Sequence, residues 1–222
     1  MSYSYEYPHP AVTTDIVLFT VKSGKLQVLL IERGEKPFKN EWALPGGFLK
    51  MEEDLDACAV RELYEETGVK DVYLEQLGTF GAVGRDPRER VISVAYFALV
   101  PEDNITLRAG TDASKAEWFD IDDLPTLAFD HSDILERAMQ RLAAKMDYST
   151  IGLQFMGDEF TLTDVQTIYE IAAGKSLDKR NFRKWLLSLG LIEESGNMSK
   201  GGAFRPAKLY QVKDKSKVEI LK

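Results

Sequence analysis

Residues 47–69 read GFLKMEEDLDACAVRELYEETGV, and their spacing decides the first half of the chain. The stretch runs Gly47, five residues, Glu53, seven residues, Arg61-Glu62-Leu63, one residue, Glu65-Glu66, one residue, Gly68-Val69. Pro45-Gly46-Gly47 is a turn and breaker signal after an extended stretch. A helix pattern follows from about Asp54 to Thr67, with Gly68 as its stop. Glu62, Glu65 and Glu66 lie at i, i+3 and i+4 and so share one helix face. Each like-charge pair at that spacing costs roughly 0.2–0.5 kcal/mol, so the stack is a poor choice for stability alone. It suits Mg²⁺ or Mn²⁺, which take hard oxygen ligands. Leu55, Ala59 and Leu63 form a separate apolar stripe that pins the helix to a core. Arg61, the lone cation among these acids, is expected to pair with a carboxylate, Glu53 first, and to hold loop to helix. A solvated acidic face is the alternative for three isolated glutamates; the Gly-Gly turn, Arg61 and the long matched spacing argue against it.

With every fixed position filled, the stretch resembles the Nudix box, the signature of a family that cleaves nucleoside diphosphates linked to another moiety. The resemblance implies an α+β chain whose first part is an α/β/α sandwich with a mixed sheet. It implies a catalytic set of Glu53, Arg61, Glu62, Glu65 and Glu66, with Mg²⁺ or Mn²⁺ held by Glu62, Glu65, Glu66 and Gly47.

The composition is that of a soluble globular protein, 44% hydrophobic and 29% charged. No apolar run approaches the roughly 20 residues that span a bilayer, and the start, MSYSYEYPHP, lacks a signal-peptide pattern. Cys58 is the single cysteine; inside the helix it reads as a small buried apolar residue, and a reducing cytoplasm is expected. The net charge of −8 is unevenly spread: residues 150–222 hold 12 Lys and Arg against 9 Asp and Glu, leaving residues 1–149 strongly acidic. Such asymmetry suggests two jobs.

Outward from the box, the apolar runs 11–21 and 25–32 read as a hairpin around Lys22-Ser23-Gly24-Lys25. Further strands are expected at 42–44, 71–80, 90–100 and 116–119, and a helix at 130–145 with an Ile134, Ala138, Leu142 stripe. The character changes near 146–158, so domains of 1–149 and 150–222 are expected. In the second, helices at 163–174 and 178–190 flank a short turn, and strands at 191–194 and 208–213 flank a Gly-rich loop. Helix, tight turn, helix and two-stranded wing is the order of a winged helix-turn-helix. The second helix carries Lys179, Arg180, Asn181, Arg183 and Lys184, with Trp185, Leu186, Leu187 and Leu189 expected on the core side. Arg183 and Asn181 are types that read guanine and adenine, and Arg205 lies in the wing. A dimerisation appendage with a solvated basic face is the alternative.

A Nudix-like domain followed by RNFRKWLLSLGLIEESG and GGAFRPAKLYQV resembles the NrtR-type Nudix-related transcriptional regulators, over about residues 12–212. The resemblance implies control of NAD-metabolism genes, a response to ADP-ribose, a homodimer and a double-stranded operator. Many members have lost acidic box residues; this box is complete, which leaves a hydrolase, a regulator or both. The run Gly84-Arg85-Asp86-Pro87-Arg88 resembles the ADP-ribose pyrophosphatases. Arg85 and Arg88, with Arg33 and Gly46, are therefore candidate ligand contacts, since a guanidinium fork suits a diphosphate. Glu117 is a candidate proton acceptor outside the box. His131, at a helix start, reads as a structural hydrogen-bonder.

Overall fold

The computed structural model describes residues 5–70, 72–102, 113–199 and 206–221. Strands β1 (Ala11–Lys22) and β2 (Lys25–Arg33) form the expected hairpin. Its two-residue turn places Ser23 at φ 51° and Gly24 at φ 77°, the twin left-handed geometry that matches the strand twist. Short β3 (Trp42–Ala43) pairs antiparallel with β2. The Gly-Gly segment, expected as a turn, is instead a short strand, β4 (Gly46–Phe48), antiparallel to β1 with Thr14 opposite Gly47 and Asp15 opposite Gly46. Helix α1 (Leu55–Thr67) follows. Then come β5 (Tyr73–Phe80), β6 (Val91–Leu99), β7 (Ala113–Asp120) and α2 (His131–Tyr148). The main sheet runs β3-β2-β1-β6-β5, with β4 on β1 and β7 on β2. Ala11 N–H bonds Arg90 O and Val100 N–H bonds Phe19 O; partners rise together along both chains, so β1 and β6 run parallel and the sheet is mixed.

β1 is buried almost throughout, Ile16, Val17, Leu18 and Phe19 being fully enclosed, as a strand covered on both faces must be. α1 starts where Asp54 accepts the Ala57 N–H and stops at Gly68 in the left-handed conformation (φ 75°). Its buried residues are Cys58, Ala59, Leu63 and Thr67. On α2, Ile134, Ala138 and Leu142 are fully buried.

A 3-10 turn, Ile151–Phe155, leads to α3 (Leu162–Ala173), α4 (Lys179–Ser188) and the antiparallel pair β8 (Ile192–Met198) and β9 (Lys208–Val212). Thr161 and Asp164 make a reciprocal capping box on α3, Gly174 closes it in the left-handed conformation, and Asp178 caps α4 through the Asn181 N–H. Of the described residues, one compact unit holds those up to 18, 28–98 and 113–138; the other holds 19–27, 99–102 and 139–221. Among the described residues no helix is long and apolar enough to cross a membrane.

Candidate functional site

The β3–β4 segment is held by backbone bonds to three elements. Leu44 N–H donates to His131 Nδ1 at 2.9 Å, Ile16 N–H to Pro45 O at 2.8 Å, and Gly46 N–H to Glu66 Oε2 at 2.8 Å. His131 is therefore an acceptor at Nδ1, and burial holds its pKa below the usual histidine value; it is the structural hydrogen-bonder that its position suggested. A Cβ on Gly46 would strike Thr14 O, and one on Gly47 would overlap the Glu62 carboxylate. Gly46 is there because β4 lies too close to the β1 backbone for a side chain, and Gly47 because it faces the Glu62 carboxylate of α1.

Arg61 gathers the acids of the box. Its Nε and Nη2 form a fork on Glu53 (2.8 and 2.5 Å), and its Nη1 donates to Glu62 Oε1 (2.6 Å) and Glu65 Oε2 (3.0 Å). The expected Arg61–Glu53 link is present and wider than the sequence suggested. The Arg61 hydrogen bonds hold the Glu53 carboxyl down at about 2. Burial pushes Glu66 up to about 8 against the pull of the Gly46 N–H, and Glu62 and Asp15 add to the rise. Glu62 is also raised by burial.

Glu62 and Glu66 line a cleft of about 340 Å³ with Gly46, Gly47, Arg33, Arg85 and Arg88. Glu65, whose side chain is 50% exposed on Arg61, is not among the lining residues. Glu117 is exposed and likewise does not line the cleft. The three arginines differ. Arg85 is buried; its Nε and Nη2 grip Asp130 at 2.9 and 2.6 Å, and Nη2 reaches Asp15 at 3.3 Å. Arg88 is partly exposed, anchored on Asp86 at 2.7 Å, with its guanidinium carbon 5.0 Å from the Phe48 ring centroid and 5.7 Å from that of Phe129. Arg33 lies 4.8 Å from the same Phe129 ring. Arg33 and Arg88 thus present cations on aromatic surface, whereas Arg85 ties loop to helix.

Sequence reasoning missed Asp15, Asp86, Asp130, Phe48 and Phe129. Asp15 had a signal, a charge within an apolar buried strand; the two phenylalanines had none. Among the described residues no three His, Cys, Asp or Glu side chains already converge on a cation position; Arg61 occupies oxygens of Glu53, Glu62 and Glu65, and the Gly46 N–H occupies one of Glu66. The donor set nevertheless suits a hard divalent cation: all oxygens, with two half-buried carboxylates whose protonation a cation would displace.

In the second unit, Lys179, Arg180, Asn181 and Lys184 are exposed on α4, and Phe182 and Leu186 are buried. Phe182 packs in a ring cluster with Tyr169 and Trp185 at 5.3–5.6 Å. Leu187, expected on the core side, is 47% exposed; it follows Arg180 and Lys184 along the outward stripe of the helix. Arg183 is half-buried, its Nη2 donating to Thr163 Oγ1 at 2.9 Å. Arg205 lies outside the described residues.

A glutamate-bearing helix against a Gly-Gly strand, followed by two helices and a two-stranded wing, defines a Nudix domain joined to a winged helix. Residues 9–140 match the NUDIX domain family and residues 152–212 the NrtR DNA-binding winged helix domain. The chain belongs to the Nudix family, in its NrtR-type branch. It is 41% identical to the ADPR responsive transcriptional repressor NtrR of Acinetobacter baylyi, over 93% of this chain and 83% of that one. It is 42% identical to the ADP-ribose pyrophosphatase of Methanocaldococcus jannaschii over 60% of this chain and 76% of that one. The crystal structure of Shewanella oneidensis NrtR complexed with a 27mer DNA superposes with TM-score 0.83 at 34% identity, covering 91% of this chain and 93% of that one.

Proposed function

We propose that this chain is an ADP-ribose-responsive, DNA-binding regulator of NAD metabolism whose Nudix domain (residues 1–149) also hydrolyses ADP-ribose-like nucleoside diphosphate derivatives. Residues 150–222 form the DNA-binding domain. It acts in the cytoplasm as a homodimer on a double-stranded operator. The carrying observation is one cleft lined by the carboxylates Glu62 and Glu66 and by the cations Arg33 and Arg88 on Phe48 and Phe129. A diphosphate needs countercharge and a planar base needs aromatic surface. Relatives named for ADP-ribose response and ADP-ribose hydrolysis support the same ligand.

Glu62, Glu65, Glu66 and the Gly47 backbone would hold a divalent cation, Mg²⁺ or Mn²⁺, which when bound would supply Lewis-acid polarisation of the diphosphate. Arg33 and Arg88 orient the nucleotide. Arg61 aims Glu53, Glu62 and Glu65, and one box glutamate accepts the proton of the attacking water. In-line attack on a phosphorus releases AMP and ribose 5-phosphate. On the other domain, Lys179, Arg180, Asn181, Arg183 and Lys184, with Arg205 in the wing, approach the operator. ADP-ribose binds one dimer geometry better than the other and so shifts the equilibrium away from DNA.

The complete acidic box favours a second reading, a hydrolase whose C-terminal domain serves dimerisation alone. A gel-shift series on the chain's upstream region and on NAD-synthesis promoters, with AMP release from ADP-ribose assayed alongside, separates them. Retarded promoter fragments and AMP together support the bifunctional reading; AMP without retardation at low salt supports the second.

A further inference from the structure

The basic residues of α4 are not equivalent. Lys179, Arg180, Asn181 and Lys184 are exposed, and among the described residues their side chains make no hydrogen bond to another element. Arg183 is half-buried and reaches across to α3, where Thr163 Oγ1 accepts from its Nη2 at 2.9 Å in an exposed position. Thr163 stands in the first turn of α3. Arg183 Nε is buried and has no hydrogen-bond partner among the described residues. That atom has almost no accessible surface, so an anion outside the domain would meet the Nη side of the guanidinium, where Thr163 sits. The first turn of a helix also carries partial positive charge. Its one acid, Asp164, accepts the Thr161 N–H within the capping box and so serves the backbone.

A guanidinium tied to α3 cannot extend freely into a groove as a base-reading arginine must. It can meet an anion running past the junction of α3 and α4. We propose that Arg183 and Thr163 together form a phosphate-backbone contact that sets the angle of α4 on the duplex, while Arg180, Asn181 and Lys184 carry base discrimination. This deepens the DNA-binding reading and rests on it. Backbone contacts fix register without carrying sequence information, whereas base-edge contacts specify.

The test measures fluorescence anisotropy of the full chain on two labelled duplexes, its own upstream region and a scrambled duplex of equal length, across a salt series. Arg183→Ala is expected to weaken both duplexes by the same factor and to make the slope of log affinity against log salt shallower by about one. Arg183→Lys keeps the slope. Thr163→Val keeps the slope and weakens both duplexes several-fold, because the guanidinium is no longer held in place. Arg180→Ala and Asn181→Ala instead reduce the ratio between the duplexes. Two results overturn the proposal: an Arg183→Ala chain that loses the ratio, which makes Arg183 a base reader, or one that keeps the wild-type salt slope, which makes it only a strut. Wild-type protein that binds neither duplex at low salt removes the DNA-binding reading itself, and this inference with it.

Discussion

The backbone N–H of Gly46 donates to Glu66 Oε2 at 2.8 Å, fastening the last carboxylate of the box to the strand in front of it. The bond aims Glu66 into the cleft. It also orients a carboxylate that burial would otherwise leave costly to ionise, since hydrogen bonds to the charged form favour it. The Gly46 N–H thus fixes the position of Glu66 and partly offsets the burial that raises its pKa.

Glu66→Gln is expected to keep the fold, because the amide oxygen still accepts the Gly46 N–H. It should lower divalent-cation-dependent release of AMP from ADP-ribose by orders of magnitude. Unchanged turnover in the presence of a near-wild-type melting temperature would remove Glu66 from the reaction.

The pH dependence follows from the raised Glu66 value of about 8. An acid weaker in the folded than in the unfolded chain binds more protons when folded, so its contribution to stability is full below the unfolded value and is lost as pH rises through about 8. In EDTA, thermal melts should therefore fall between roughly pH 5 and pH 8.5. Cation binding needs the carboxylate, so Mg²⁺ affinity should climb over the upper part of that window, with proton release visible by calorimetry in buffers of different ionisation heat. A Mg²⁺ affinity that is flat from pH 6.5 to 8.5 would contradict this assignment.

Arginines three positions apart, Arg85 and Arg88, should separate experimentally. Arg88→Ala, alone or with Arg33→Ala, is expected to weaken ADP-ribose binding by about 1.5–3 kcal/mol per lost charge-assisted bond, and to lower the melting temperature as well, because it strips the buried Asp86 of its guanidinium partner. Arg85→Ala should instead cost mainly stability, roughly 3 kcal/mol, because it strips Asp130 and Asp15 of a buried partner. Calorimetry and denaturant melts on the same three variants decide; equal effects of Arg85→Ala and Arg88→Ala on affinity would return Arg85 to the ligand.

Why some of this was legible in the sequence and some was not has a physical basis. Local signals carried the elements: Asp54 and Gly68 bound α1, Thr161 and Gly174 bound α3, and Ser23-Gly24 turns the hairpin, each through chemistry within a few residues. The Arg61–Glu53 link also follows from loop and helix lying next to each other in the chain. Contacts between distant segments left no local trace. Asp15 and Arg85 meet across 70 positions, and Leu44 and His131 across 87. The glycines of the short strand β4 are a breaker signal and read as a turn, while its pairing with β1 exists only in the folded sheet. Leu187 reads as inward by residue type, although the α4 stripe turns it outward with Arg180 and Lys184.

The central claim is that one molecule senses ADP-ribose in the Nudix domain and releases DNA from the winged helix. The most direct measurement is the linkage between the two ligands, made with the Glu66→Gln chain so that ADP-ribose is not consumed. The affinity for a retarded promoter fragment is measured with and without saturating ADP-ribose, and the affinity for ADP-ribose with and without saturating DNA. The account predicts that each ligand weakens the other by the same factor, on the order of 5- to 150-fold, as a shared coupling free energy requires. Two independent affinities, each unmoved by the other ligand, would contradict it.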